Sequence, residues 1–296
     1  MKTRAAVAAI LALCFLSAPA LAGGSSSACA TKYPIVLAHG MFASDDILGF
    51  IDYWWGIEDA IEDEGGRVYV TKVNAMDTTV NKAVSFKAQV LQILAVTGKA
   101  KVNIIGHSHG TIYSRYAITN MGMAGKVASW TSLCGPHRGS ALADIIAYGL
   151  PSGLQNLSGA VLDWLYTFVM GDTNPASIQN CYDVTRDYMQ NVFNPNTPNV
   201  SGIYYQSWAA KAKWGCPSVV LNPLWVVLGA FEGDNDGVVS VNSAKWGTFR
   251  GVQSAAWYSP GVDHINMVGH LFGVTPGFDA PDFYVDIVSG LKGKGY

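Results

Sequence analysis

From Tyr33 onward, short runs of β-branched and apolar residues alternate with longer stretches in which apolar positions recur every three or four residues. The strand-like runs are Ile35 to Ala38, Val68 to Val73, Val102 to Ile105, Val127 to Leu133, Ile203 to Tyr205, Trp225 to Phe231 and Ala255 to Tyr258. Helical stretches lie between them. Asn81 to Thr97 carries Ala83, Val84, Val90, Leu91, Ile93 and Leu94 on its apolar side, and a second helix is predicted from His109 to Met121. This β-α-β-α rhythm predicts a single α/β domain over 23–296, with a mostly parallel central sheet covered by helices on both faces. In such sheets ligand chemistry gathers at the carboxyl ends of the strands.

One segment breaks the rhythm. From about Ala147 to Asn180 no strand pattern occurs, and Leu157 to Met170 is apolar apart from a narrow stripe of Asn156, Asp163, Thr167 and Asn174 on one helical face. Two readings stand: a core helix, or a helical lid over 147–180 whose apolar face meets lipid when open. At the other end, Lys2 and Arg4 precede an apolar run, Ala5 to Ser17, and Ala20-Leu21-Ala22 offers a small-x-small cleavage site. Residues 1–22 are therefore read as a signal peptide cleaved after Ala22, which makes the protein a secreted one. Ser26-Ser27-Ala28 before Cys29 does not match a lipoprotein signal.

Composition narrows the class. Half the residues are apolar and only 14% are charged, against about 25% in a typical soluble domain, which argues against disorder. The net charge of −2 and the lack of a Lys/Arg cluster argue against a nucleic-acid partner. Beyond the signal lie Cys29, Cys134, Cys181 and Cys216. No Cys/His spacing among them suggests zinc. Cys134 reads as a buried thiol, and Cys181 with Cys216 is the first pair to test for a disulfide. The aromatic cluster Asp52-Tyr53-Trp54-Trp55 and the run Leu157 to Met170 read as surface suited to a lipid interface.

The chemistry centres on Gly106-His107-Ser108-His109-Gly110, a G-x-S-x-G string between a strand-like and a helix-like stretch. That context is the strand, sharp turn and helix that exposes a serine hydroxyl above a sheet. A serine hydroxyl needs a histidine to take its proton and an acid to orient that histidine. In the order expected on such a sheet both lie downstream of the serine. His264 follows a Gly-containing loop at a strand end, whereas His270 falls in a helical pattern beginning at Ile265. Asp236 is the preferred acid, in the turn Gly233 to Gly237, with Asp234 its near rival and Asp263 poorly placed beside His264. Acyl transfer also needs two backbone N–H donors for the oxyanion. These are assigned to His109, after the nucleophile, and to Met41, after the strand-like Ile35 to Ala38. His39 suits a loop-fixing role.

Tyr33-Pro34-Ile35-Val36-Leu37-Ala38-His39-Gly40-Met41, Asp52 to Ile57, Gly106 to Gly110, Gly135-Pro136-His137-Arg138-Gly139-Ser140 and Asn235 to Ser240 occur in that order. Together they resemble the secreted bacterial true lipases of lipolytic family I, the Pseudomonas and Burkholderia type, from about Tyr33 to the chain end. The resemblance implies an α/β-hydrolase fold with a helical lid and a triacylglycerol ester hydrolase. It implies a triad of Ser108, Asp236 and His264, with Met41 and His109 forming the oxyanion hole. It implies no cofactor for the chemistry, a monomer acting on lipid or ester at an interface, and, for some relatives, a dedicated foldase. It also implies a structural calcium held by the side chain at 266 and the carbonyls of His270 and Val274. Position 266 is Asn266 where relatives carry aspartate, and no aspartate lies between Pro217 and Leu224, so such a site loses most of its charge attraction for the ion. The cysteine that relatives carry six residues after the acid is Asn242 here. A short-chain esterase or polyester hydrolase, and a noncatalytic lipid-binding module, are the competing functional readings.

Overall fold

A computed structural model describes residues 27–41, 52–149, 175–270 and 275–296. The signal peptide predicted over 1–22 and the run Leu157 to Met170 lie outside the described residues. Six strands form one sheet in the order β2-β1-β3-β4-β5-β6, every neighbouring pair parallel. They are β1 (Ile35–Ala38), β2 (Val68–Thr71), β3 (Val102–His107), β4 (Val127–Leu133), β5 (Tyr204–Ala210) and β6 (Thr248–Gln253). The principal helices are α1 (Ile57–Asp63), α2 (Thr79–Thr97), α3 (His109–Asn120), α4 (Ala141–Tyr148), α5 (Pro175–Tyr182), α6 (Asn222–Glu232) and α7 (Ala280–Gly293).

The period of two along β1 divides the core. Ile35 and Leu37 pack with Trp54, Ile57 and Ile61 and with Tyr284, Val288 and Leu291 of α7. Val36 and Ala38 point the other way, into a cluster with Phe86 and Val90 of α2 and Tyr113 and Ile118 of α3. Each fully buried aliphatic or aromatic side chain contributes roughly 1.5–3 kcal/mol, so both faces of the sheet are fastened to helices. Local signals set the helix ends. Thr78 caps α2 by accepting from Asn81 N at 3.2 Å, and Gly98, at φ 64°, closes it in the left-handed region.

Two predicted strands are not strands. Trp225 to Phe231 lies within helix α6: Asn222-Pro223 opens it, and Leu224, Val227 and Leu228 are buried at helical spacing while Val226 is exposed. A short apolar run without polar alternation fits either element, and here the preceding proline decides. Ala255 to Tyr258 follows β6, because Ala255 turns into the left-handed region at φ 54° and Trp257 is exposed to solvent. The predicted disulfide between Cys181 and Cys216 is absent, since Cys29, Cys134, Cys181 and Cys216 are all buried free thiols. Asp52 to Trp55 is not an exposed lipid-facing cluster either: Trp54 is fully buried against Tyr284, Tyr53 is half-buried, and of its three aromatic side chains Trp55 alone is exposed.

Helix α3 leaves β3 through a turn that lies directly on β1. A Cβ at Gly110 would fall 1.9 Å from the Ala38 carbonyl oxygen and 2.6 Å from its carbon. Backbone on both sides leaves nothing to yield. Gly110→Ala is expected to cost at least ~3 kcal/mol of unfolding free energy in denaturant titration. Gly125→Ala, where a Cβ meets nothing within 4 Å, is expected to stay within about 0.5 kcal/mol of wild type.

Candidate active site

Ser108 stands between β3 and α3 with φ 55° and ψ −130°, a conformation that costs a serine about 1–3 kcal/mol. The surroundings enforce it. Ser108 N–H donates to the Leu133 carbonyl of β4 at 2.9 Å, and the Ser108 carbonyl accepts from Thr111 N–H at 3.1 Å and Thr111 Oγ1 at 2.7 Å. A Cβ at Gly106 would meet the Gly110 and Thr111 backbone at 3.0 Å, so the two ends of the turn approach as closely as glycines allow. The serine thereby sits at the carboxyl end of β3 and at the positive end of α3.

Asp236 and His264 are brought together. His264 Nδ1 donates to Asp236 Oδ2 at 2.7 Å, and His264 N–H donates to the Asp236 carbonyl at 2.9 Å. The other carboxylate oxygen accepts from Val238 N–H at 2.9 Å and Val239 N–H at 2.7 Å, so Asp236, 1% exposed, has both oxygens engaged. The rival acids are committed elsewhere. Asp234 pairs with Lys211 Nζ at 2.8 Å at the surface. Asp263 accepts from Ile265, Asn266 and Ser218 N–H groups. Asp236 follows helix α6, not a strand, so the acid reaches the sheet end from a turn after a helix.

The His264 ring lies 4.5 Å, centroid to centroid, from that of His107, the residue before Ser108. Burial, reinforced by the His264 and His270 charges, holds His107 well below the ordinary histidine range, so no like charge opposes an imidazolium at 264. Ser108 Oγ and His264 Nε2 make no hydrogen bond among the described residues; such contacts often tighten only when substrate arrives. His270 packs on Tyr53 at 6.0 Å and does not contact Asp236.

The segment after β1 closes over the serine. A Cβ at Gly40 would sit 2.6 Å from Ser108 Cβ and 3.1 Å from Oγ, so only glycine lets this backbone come so near. His39 fixes the segment: Nδ1–H donates to the Gly40 carbonyl at 2.8 Å, and Nε2 accepts from Val73 N–H at 3.0 Å. Tyr53 does the same from the other side. Its hydroxyl accepts from Gly40 N–H at 2.9 Å and donates to His107 Nδ1 at 2.6 Å. The proton of His107 is therefore on Nε2, which is buried and faces the His264 backbone without reaching hydrogen-bond geometry. Met41 follows directly, and among the described residues neither its N–H nor that of His109 has an acceptor.

Behind the turn lies a polar network that sequence reasoning missed. Lys82 Nζ donates to His109 Nδ1 at 3.1 Å and to Asn180 Oδ1 at 3.0 Å, and His109 Nε2–H donates to Thr79 Oγ1 at 3.0 Å. Burial pushes the Lys82 ammonium down to about 7 against the pull of Asp183 and Asp77. Tyr53 was missed as well. In the sequence, Lys82 is one polar residue on a helix and Tyr53 one member of an aromatic run, and neither pattern signals its inward partner.

Of the residues proposed for calcium, Asn266 has its one ligating atom already engaged. Asn266 Oδ1, the side-chain atom able to ligate, accepts from Asp263 N–H at 3.2 Å, and the atom left without a partner is its donor Nδ2. His270 is described, whereas Val274 lies outside the described residues. The tie between this loop and the 216–222 loop is direct: Ser218 N–H donates to Asp263 Oδ2 at 2.6 Å.

Comparison with known proteins agrees with this architecture. A family model described as palmitoyl protein thioesterase matches residues 34–202. A triacylglycerol lipase of Vibrio cholerae is 32% identical over 80% of this chain and 84% of its own length. One from Burkholderia plantarii is 38% identical over 45% of this chain, a match spanning 37% of that relative. Among solved structures, mature Bacillus licheniformis lipase BlEst2 superposes with a TM-score of 0.61 at 25% identity, covering 81% of this chain and 89% of that one. The metagenomic carboxyl esterase MGS0156 shares the fold at 18% identity and a TM-score of 0.61. With the family match over more than half its length and the Vibrio relative aligned over most of it, the chain belongs to the bacterial triacylglycerol lipases, α/β-hydrolases that cleave carboxylic esters.

Proposed function

We propose that the protein is an exported lipase that hydrolyses acylglycerol esters through an acyl-enzyme on Ser108. The observation that carries this reading is the 2.7 Å bond from His264 Nδ1 to Asp236 Oδ2 beside a serine held at φ 55°. With Nδ1–H committed to the carboxylate, Nε2 is the basic nitrogen. It takes the Ser108 Oγ–H proton as Oγ attacks the ester carbonyl. The resulting oxyanion is met by the Met41 and His109 N–H groups. Collapse expels the alcohol, which leaves with the proton held by His264, and the acyl group stays on Ser108. Water, deprotonated by the same nitrogen, then releases the carboxylic acid and restores the serine.

Export through residues 1–22 and action at a lipid interface complete the reading, supported by the N-terminal charge and apolar pattern and by the names of the lipase relatives. The loop that carries His264 is held by the Asp263–Ser218 contact rather than by a cation.

Ser108→Ala is expected to lower hydrolysis of emulsified tributyrin by at least ~10³-fold, and Asp236→Asn by about 10⁴-fold. Retention of substantial activity in Ser108→Ala overturns the assignment. In a chain-length series of triglycerides measured with and without a calcium chelator, the activity profile and the thermal midpoint are expected to be unchanged by the chelator. A loss of either on chelation, restored by added calcium, contradicts the cation-free loop.

A further inference from the structure

Lys82 is a charged group in the interior that the chemistry above does not use. It is 1% exposed and makes no salt bridge among the described residues. Burying an ammonium without a close carboxylate is costly, and an apolar side chain of similar length would fill the same space without that cost. The groups that face it are Asp77 before α2, His109 on α3, and Cys181 and Asp183 at the end of α5. What the ammonium has gained is a grip on one ring. Thr79 and Lys82, three residues apart on α2, hold the two nitrogens of His109, Lys82 donating to Nδ1 and Thr79 accepting from Nε2. Thr79 is itself fixed, its N–H donating to Asp183 Oδ2 at 2.9 Å, and Asn180 Nδ2 donates to the Ala75 carbonyl at 3.3 Å. The clamp therefore joins α2, α3 and α5, and it closes on the first residue of α3.

We propose that Lys82 is a positioning residue that sets the direction of the His109 amide by locking the His109 ring, with Thr79 and Asn180 completing the lock. The inference rests on the reading of His109 N–H as an oxyanion donor. An amide aimed where charge develops acts mainly in the transition state, so loosening the lock lowers turnover and leaves ground-state binding nearly untouched. Misplacement by about an ångström is enough to cost up to ~100-fold.

The test compares wild type with Lys82→Met, which keeps the length of the side chain and removes its donors. For a soluble short-chain p-nitrophenyl ester the expected result is a fall in kcat of about tenfold with KM within about twofold. Affinity for an alkylboronic acid, which forms a tetrahedral adduct on the serine, is expected to fall by a similar factor. Thr79→Val and Asn180→Ala, which open the lock from its other sides, should give the same signature in weaker form and decide the matter if Lys82→Met does not fold. Unchanged kcat in folded Lys82→Met overturns the proposal, as does lowered kcat with unchanged boronate affinity, or wild-type boronate affinity in both Thr79→Val and Asn180→Ala. Wild-type protein that neither hydrolyses the ester nor binds the boronic acid overturns the parent reading instead.

Discussion

The turn at Ser108 is the constraint on which the rest depends. A serine at φ 55° is strained, and the strain persists only because the surroundings leave no alternative. Leu133 of β4 holds its N–H, Thr111 holds its carbonyl, and α3 lies so close to β1 that Gly110 admits no side chain. Those contacts require β1, β3 and β4 to be adjacent and parallel, which in turn requires the sheet to be clad on both faces. Burial of the β1 side chains in alternate directions is thus the packing that allows one hydroxyl to stand at a sheet end.

Electrostatics around that turn follow a single pattern: one charge partner is fixed in place, and every other titratable neighbour is kept neutral or occupied elsewhere. Asp236 has its oxygens held by two amides and by His264. His107, His109 and His137 are buried, and desolvation holds each well below the ordinary histidine range. Tyr53 and Cys134 are pushed up by burial, Cys134 further by Asp236 beside it, so hydroxyl and thiol keep their protons. An imidazolium forming at His264 therefore meets a carboxylate and no competing charge.

Much of this was legible in the chain. β1 and β4 sit where the apolar runs predict them, and the spacing of G-x-S-x-G between strand and helix marked the turn. Chain order and loop context favour Asp236 and His264 over Asp234 and His270, and the structure brings that pair into contact. Other features were not legible because they depend on three-dimensional partners. Trp225 to Phe231 is apolar enough for either element, and only its register against α4 and the proline before it make it helix. Tyr53 and Lys82 have ordinary neighbours in sequence and unusual ones in space. The missing aspartate at 266 was visible, but not that Asp263 had taken up the tie to Ser218.

The proposed reaction passes through one covalent bond, from an acyl carbonyl to Ser108 Oγ. The most direct measurement is mass spectrometry of protein quenched in acid during turnover of an activated ester, followed by peptide mapping. The account predicts one acyl group per chain, carried on the peptide that contains Ser108, with accumulation abolished in Ser108→Ala. Turnover with no acylated species, or an acyl group mapped to any other residue and formed as fast as product, would contradict it.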